Sequence, residues 1–87
     1  ISPIELGNDV WQEGYDPQFD AGSPAVSRNL KYTFAKVARK HGTDILAASD
    51  HAKPSSIDCE HLDENGHNAL ARAVEDKILS IYGRAAS

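Results

Sequence analysis

The order of elements in this chain predicts an α/β fold with a parallel sheet. The sequence reads as strand, long loop, helix, strand, loop and helix. Strands that alternate with helices are typical of parallel sheets, because a helix is the usual connection between parallel neighbours. Such a sheet needs cover on both faces, which two helices cannot supply. We therefore expect the 87 residues, which begin at Ile1 and contain no methionine, to be part of a larger domain.

Composition excludes some classes of function. The formal net charge of −4 and the absence of a lysine and arginine cluster argue against a nucleic-acid surface. No apolar run is long enough to cross a membrane. Cys59 is the only cysteine and cannot form an internal disulfide, which fits a reducing compartment and predicts a cytoplasmic protein.

The chain is expected to open with a strand over residues 1–6, whose pairing Pro3 limits because proline has no N–H. Glycines and prolines break residues 7–22 into a long loop. Half of the chain's six aromatic residues lie in this loop: Trp11, Tyr15 and Phe19. Such loops often line a functional site or an interface, but these rings could equally fill the end of the core. Both interpretations stay open.

A helix is predicted over residues 23–41. Ser23 is the expected N-cap and Pro24 the first helical residue, a frequent combination at helix starts. Mostly apolar side chains then recur at helical spacing: Val26, Leu30, Phe34, Val37 and His41. Gly42 is a typical stop, because glycine readily adopts the left-handed conformation that ends many helices.

The second half is predicted to contain a buried strand over residues 43–49 and a helix over residues 63–83. Asp63 is the expected N-cap of this helix, and Gly83 its end. Its buried stripe is expected to contain His67, Leu70, Val74, Ile78 and Ile81. Position on that stripe predicts a hydrogen-bonded core role for His67 rather than a catalytic one.

The loop predicted over residues 50–62 carries the candidate site. It places Asp58 and His61 three positions apart, directly before the last helix. A carboxylate beside an imidazole can accept the Nδ1 proton and leave Nε2 free as a base. The chain contains no Gly-x-Ser-x-Gly or Gly-Asp-Ser motif to supply a nucleophile. On its own, the pair fits either a catalytic base or a solvated loop.

A longer pattern gives the site a family context. The run Asp58-Cys59-Glu60-His61-Leu62, followed by Gly66-His67 and Leu70-Ala71, resembles the last conserved block of the SGNH (GDSL-type) hydrolases. The opening Ile1-Ser2-Pro3 and the long loop after it look like that family's segment after its fourth strand. The resemblance covers nearly all of residues 1–87, as the C-terminal part of a single hydrolase domain.

This resemblance implies a flavodoxin-like three-layer α/β/α fold and hydrolysis of a carboxylic ester, as in an esterase or lipase. His61 would be the general base and Asp58 would orient it. The family's nucleophilic serine and oxyanion-hole residues belong to earlier blocks that this chain lacks. The implied partners are an N-terminal segment of the same hydrolase and a small-molecule ester, with a homo-oligomer left open. No cofactor or metal is implied.

Two other functions stay open. Permissible zinc ligands are Asp58, Cys59, His61 and His67. Only one residue separates Cys59 from His61, so the spacing is poor for zinc. The chain could instead be a non-catalytic module that completes another chain's sheet. Cys59 as a nucleophile is rejected, because the neighbouring carboxylates of Asp58 and Glu60 disfavour a thiolate.

Overall fold

The computed structural model describes residues 1–86, with side chains as far as residue 83. Two helices dominate it: α1 covers Ser23–His41 and α2 covers Glu64–Ala86. One turn of 3₁₀ helix, Ala48–Asp50, lies between them, and loops make up most of the remainder. Among these residues, neither helix has the length and apolar character required to cross a membrane.

The predicted parallel sheet does not form in the described part of the chain, so the α/β assignment is wrong. The two predicted strands, residues 1–6 and 43–49, meet at a single parallel bridge between Ser2 and Ala47. Helices account for 51% of the residues and extended pairing for 2%. The described residues do not form the flavodoxin-like three-layer arrangement either and are mainly helical.

Local chemistry explains why the pairing stops after one bridge. The N–H of Ser2 donates to the carbonyl of Leu46 at 2.9 Å, and its carbonyl accepts from the N–H of Ala48 at 3.3 Å. In a parallel ladder the backbone groups of Pro3 point away from the paired segment, so the next bond would run from the N–H of Ile4 to the carbonyl of Ala48. On the other side the chain turns into the 3₁₀ helix at Ala48, which withdraws the next backbone groups from an extended neighbour.

The described chain is a plate about one helix thick. Its principal extents are 53 × 30 × 14 Å, and a single α-helix with its side chains is roughly 10–12 Å across. The radius of gyration is 15.0 Å, whereas a compact domain of this length would have about 12 Å. The buried apolar residues are few and mostly small: Val10, Ala48, Ala52, Cys59 and Ala73.

Ser23 was the predicted N-cap of α1 but is instead its first helical residue. Gly22 occupies the N-cap position, and no side chain caps the helix there. The hydroxyl of Ser23 instead accepts the N–H of Asp20 at 3.0 Å. At the other end Gly42 has a φ of 65°, and the N–H of Thr43 donates back to the carbonyl of Ala38, which is the pattern of a Schellman motif.

Helix α2 starts at its predicted cap but does not stop at its predicted end. The Oδ1 atom of Asp63 accepts the N–H of Gly66 at 2.8 Å, as an N-cap does. The helix continues through Gly83 to Ala86. A glycine ends a helix when its φ is positive, as at Gly42, and Gly83 has no positive φ.

The buried side of α2 differs from the predicted stripe. His67 is exposed, so its predicted place in the core is wrong. The helix turns small residues toward the rest of the chain, since Gly66 and Ala73 are its buried positions. Large apolar side chains on both helices remain exposed: Val26, Tyr32, Phe34 and Val37 on α1, and Ile78, Leu79 and Tyr82 on α2.

Candidate active-site loop

The segment between the 3₁₀ helix and α2 is closed by hydrogen bonds that centre on Ser55. The N–H of Ser55 donates to the carbonyl of His61 at 2.7 Å, and its carbonyl accepts the N–H of Cys59 at 2.8 Å. The hydroxyl of Ser55 also accepts the N–H of Ile57 at 3.1 Å. These bonds join both ends of a seven-residue loop, residues 55–61, and give it a defined shape.

Asp58 uses both of its carboxylate oxygens inside this loop. Oδ1 accepts the backbone N–H groups of Glu60 and His61, each at 2.9 Å. Oδ2 lies 2.6 Å from Nδ1 of the His61 ring. The three-residue spacing that the sequence displays therefore becomes a direct contact between the two side chains.

The contact changes the proton affinity of both groups. The backbone N–H groups of His61 and Glu60, followed by the His61 ring, lower the pKa of Asp58 to about 2. The hydrogen bond and charge of Asp58 raise the pKa of His61, and Glu60 adds to the rise. The lowered pKa of Asp58 means that its ionised carboxylate stabilises the folded chain above pH 3.8, and this contribution is lost as the pH falls through about 2. The protonated ring of His61 likewise stabilises the folded chain below pH 6.5, and this contribution is lost as the pH rises through the raised pKa of His61.

The imidazole of His61 is open to a reactant. Its side chain is 75% exposed, while that of Asp58 is 42% exposed. Nδ1 is engaged by Asp58, and Nε2 makes no hydrogen bond within the described residues. A neutral His61 with its proton on Nδ1 would present Nε2 as an acceptor.

Cys59 lies between the paired residues in an unusual conformation. Its φ is +58°, in the left-handed region, and its side chain is buried. The N–H of Gly7 donates to its carbonyl at 2.8 Å, which ties the loop to the opening segment of the chain. The thiol therefore faces the protein and is not displayed beside His61.

Two residues of the long loop over 7–22 reach this loop: Tyr15, one of the aromatics noted in the sequence, and Asp16, which the sequence did not single out. The charge of Cys59 and a hydrogen bond to its thiol raise the pKa of Tyr15, so the phenol and the thiol are neighbours. Asp16 contributes to the raised pKa of His61. Of the three aromatics, Trp11 is exposed, Tyr15 and Phe19 are half-buried, and Val10 is the fully buried residue there. No local pattern could have indicated these contacts, because the partners are far apart in sequence.

The described residues bring together one set of potential metal donors. The ligand atoms of Asp58, Glu60 and His61 lie within 4.8 Å of one another. The set predicted from sequence included Cys59 and His67 instead of Glu60, and neither joins this group. Asp58 already accepts three hydrogen bonds within the loop. The cluster is therefore a hydrogen-bonded pair of Asp58 and His61 with the carboxylate of Glu60 beside it.

Comparison with solved structures shows that this chain resembles part of a longer protein chain. A crystal structure of another protein matches with a TM-score of 0.84 and 29% sequence identity. The match covers 93% of this chain and 36% of that chain, so this chain spans about a third of its length. No family model and no curated protein matches the sequence.

Proposed function

We propose that this chain supplies the aspartate and histidine of a serine hydrolase that cleaves carboxylic esters. The observation that carries the proposal is the 2.6 Å contact between Asp58 Oδ2 and His61 Nδ1 on an otherwise exposed imidazole. The resemblance of residues 58–71 to the last block of the SGNH hydrolases supports the same reading. The similarity to part of a longer chain fits a nucleophile that lies on another segment.

In this proposal His61 acts as the general base. Nε2 takes the proton from a serine hydroxyl as its oxygen attacks the ester carbonyl, and then delivers that proton to the departing alkoxide. Water repeats the cycle on the acyl-serine and releases the acid. Asp58 holds the Nδ1–H tautomer and stabilises the imidazolium that forms in each half-reaction.

The proposal is tested with the reconstituted protein, which we define as this chain combined with a segment that carries the nucleophilic serine. Hydrolysis of a short p-nitrophenyl ester, and labelling of the serine by a fluorophosphonate, report on the assembled site. Both signals should require this chain with His61 intact. Assembly without either signal would refute the proposal.

The pH dependence should follow the imidazole. Only neutral His61 accepts a proton, so kcat/KM is expected to rise with pH through the pKa of His61. The carboxylate raises that pKa above its usual value of about 6.5, so the midpoint should also lie above it. Asp58→Asn should lower the midpoint, because the negative charge is lost. The measurement is kcat/KM from pH 5 to 9 for both proteins, together with ¹⁵N shifts of the His61 ring.

The Asp58→Asn variant should also lose rate at its own optimum. Oδ1 of the asparagine would keep the bonds to the Glu60 and His61 N–H groups, so its NH₂ group would face Nδ1. The ring must then accept at Nδ1 and carry its proton on Nε2, which is the wrong tautomer for a base. An unchanged midpoint and ¹⁵N pattern in Asp58→Asn would contradict the role assigned to Asp58.

A second candidate function is a non-catalytic module that packs against another chain. The exposed apolar residues on α1 and α2 favour it. The discriminating observation is whether loss of His61 abolishes hydrolysis without disturbing assembly. A module would show the reverse: assembly would depend on the helix faces, and activity would not depend on His61.

A further inference from the structure

The loop that carries Asp58 and His61 meets the opening segment at a point of very close approach. The N–H of Gly7 donates to the Cys59 carbonyl at 2.8 Å. A Cβ atom added at Gly7 would lie 2.6 Å from Cβ and 2.9 Å from Sγ of Cys59. Those separations are shorter than non-bonded carbon and sulfur atoms adopt, so only glycine fits while Cys59 keeps its place.

Space, and not backbone conformation, requires this glycine. Gly7 has no positive φ, in contrast to Gly14 and Gly42. The residue with the unfavourable conformation is its partner, because Cys59 is the single non-glycine residue with positive φ in the described part of the chain. The left-handed region is costly for a residue with a Cβ atom, so surrounding contacts must hold Cys59 there.

The orientation of the Asp58–His61 pair depends on that conformation. Both side chains are substantially exposed, so packing against neighbours does little to hold them. Asp58 lies directly before Cys59, and the N–H groups that its carboxylate accepts lie directly after it. A change in the backbone angles at Cys59 would therefore rotate the carboxylate away from these N–H groups and from Nδ1 of His61.

We propose that Gly7 is a positioning residue for the Asp58–His61 pair, acting through its close backbone contact with Cys59. The kinetic consequence of this inference rests on the proposed function. The orientation of the pair itself is measurable without any ester, by ¹⁵N titration of the His61 ring.

The test is Gly7→Ala in the reconstituted protein, with ¹⁵N-histidine incorporated only into this chain. We expect the His61 midpoint to fall toward that of Asp58→Asn. We expect kcat to fall about 10²-fold with little change in KM, as for a catalytic group displaced by about 1 Å. Gly83→Ala is the matched control, since an added Cβ there meets no atom within 4 Å and both readouts should stay unchanged.

A double variant separates positioning from general damage. Gly7→Ala with Cys59→Gly removes the Cβ and Sγ atoms and suits the positive φ, and leaves one tight separation of 3.1 Å to the backbone Cα at position 59, so the titration and much of kcat should return. Gly7→Ala with Cys59→Ala keeps the 2.6 Å clash and should not recover. Unchanged titration and kcat in folded Gly7→Ala, or no recovery in the folded glycine double variant, would overturn the proposal.

Two further outcomes also test the positioning role of Gly7. If Gly7→Ala does not fold, recovery of folding and titration in the glycine double variant supports the contact, while unfolding of both overturns a specific positioning role. If Gly7→Ala shifts the His61 titration but His61→Ala keeps full esterase activity, the proposed function is wrong and the positioning role of Gly7 stands.

Discussion

Replacing His61 by alanine is expected to lower kcat of the reconstituted protein by about 10³-fold, the scale on which a positioned general base acts. A serine hydroxyl is a weak nucleophile near neutral pH, so loss of the imidazole that accepts its proton removes most of its reactivity. The melting temperature should change little, because the ring is 75% exposed and makes its one side-chain bond to Asp58. Steady-state ester hydrolysis and a thermal melt of the same sample give both numbers.

His67→Ala is the matched control for that experiment. His67 is an exposed histidine on the nearby first turns of α2, outside the loop hydrogen-bond network. The sequence predicted a core position for His67, whereas this chain leaves its side chain exposed. The kcat of the reconstituted protein should be almost unaffected. Near-full activity in His61→Ala beside a folded, inactive His67→Ala would mean that the base has been assigned to the wrong histidine.

The chain on its own is expected to self-associate or to melt without a cooperative transition. Its exposed apolar side chains form a face on α2, where Ile78, Leu79 and Tyr82 lie close together along the helix. The plate is about one helix thick, so no second layer covers them. Sedimentation and a dye that binds apolar surface should show association at micromolar concentration, and reconstitution should suppress it.

Charge substitutions test which surface is responsible. Ile78→Asp together with Tyr82→Asp should raise the monomer fraction and weaken reconstitution. Ile57→Asp is the control: its side chain is 88% exposed but stands alone on the loop, and single exposed apolar residues are ordinary. A stable monomer with a sharp melt, formed by the unmodified chain, would contradict this prediction.

The sequence could predict the structural features that depend on residues close together along the chain. The end of α1 at Gly42 and the cap of α2 at Asp63 each depend on a few consecutive residues, and the structure places them there. The sheet depended on distant segments pairing over several residues. It was limited to one bridge because the chain turns into a 3₁₀ helix at Ala48.

The same distinction applies to the site. The proximity of Asp58 and His61 follows from their spacing within one turn of the loop, so it could be anticipated. The approach of Gly7 to Cys59 and of Asp16 to His61 arises from the path of the long loop, which no local pattern specifies. The burial of α2 was also unpredictable, because small residues such as Ala73 face inward in place of the larger apolar stripe.

A plate about one helix thick has a consequence for how its amides exchange with deuterium. Few described residues are buried, so exchange in the isolated chain should proceed mainly through local opening. Any partner that covers a helix should suppress local opening of that helix selectively. The amides of α1 and α2 whose exchange rates fall on reconstitution would then identify the residues in contact with the partner. The exchange rates of the amides in residues 7–22 provide the reference for this comparison.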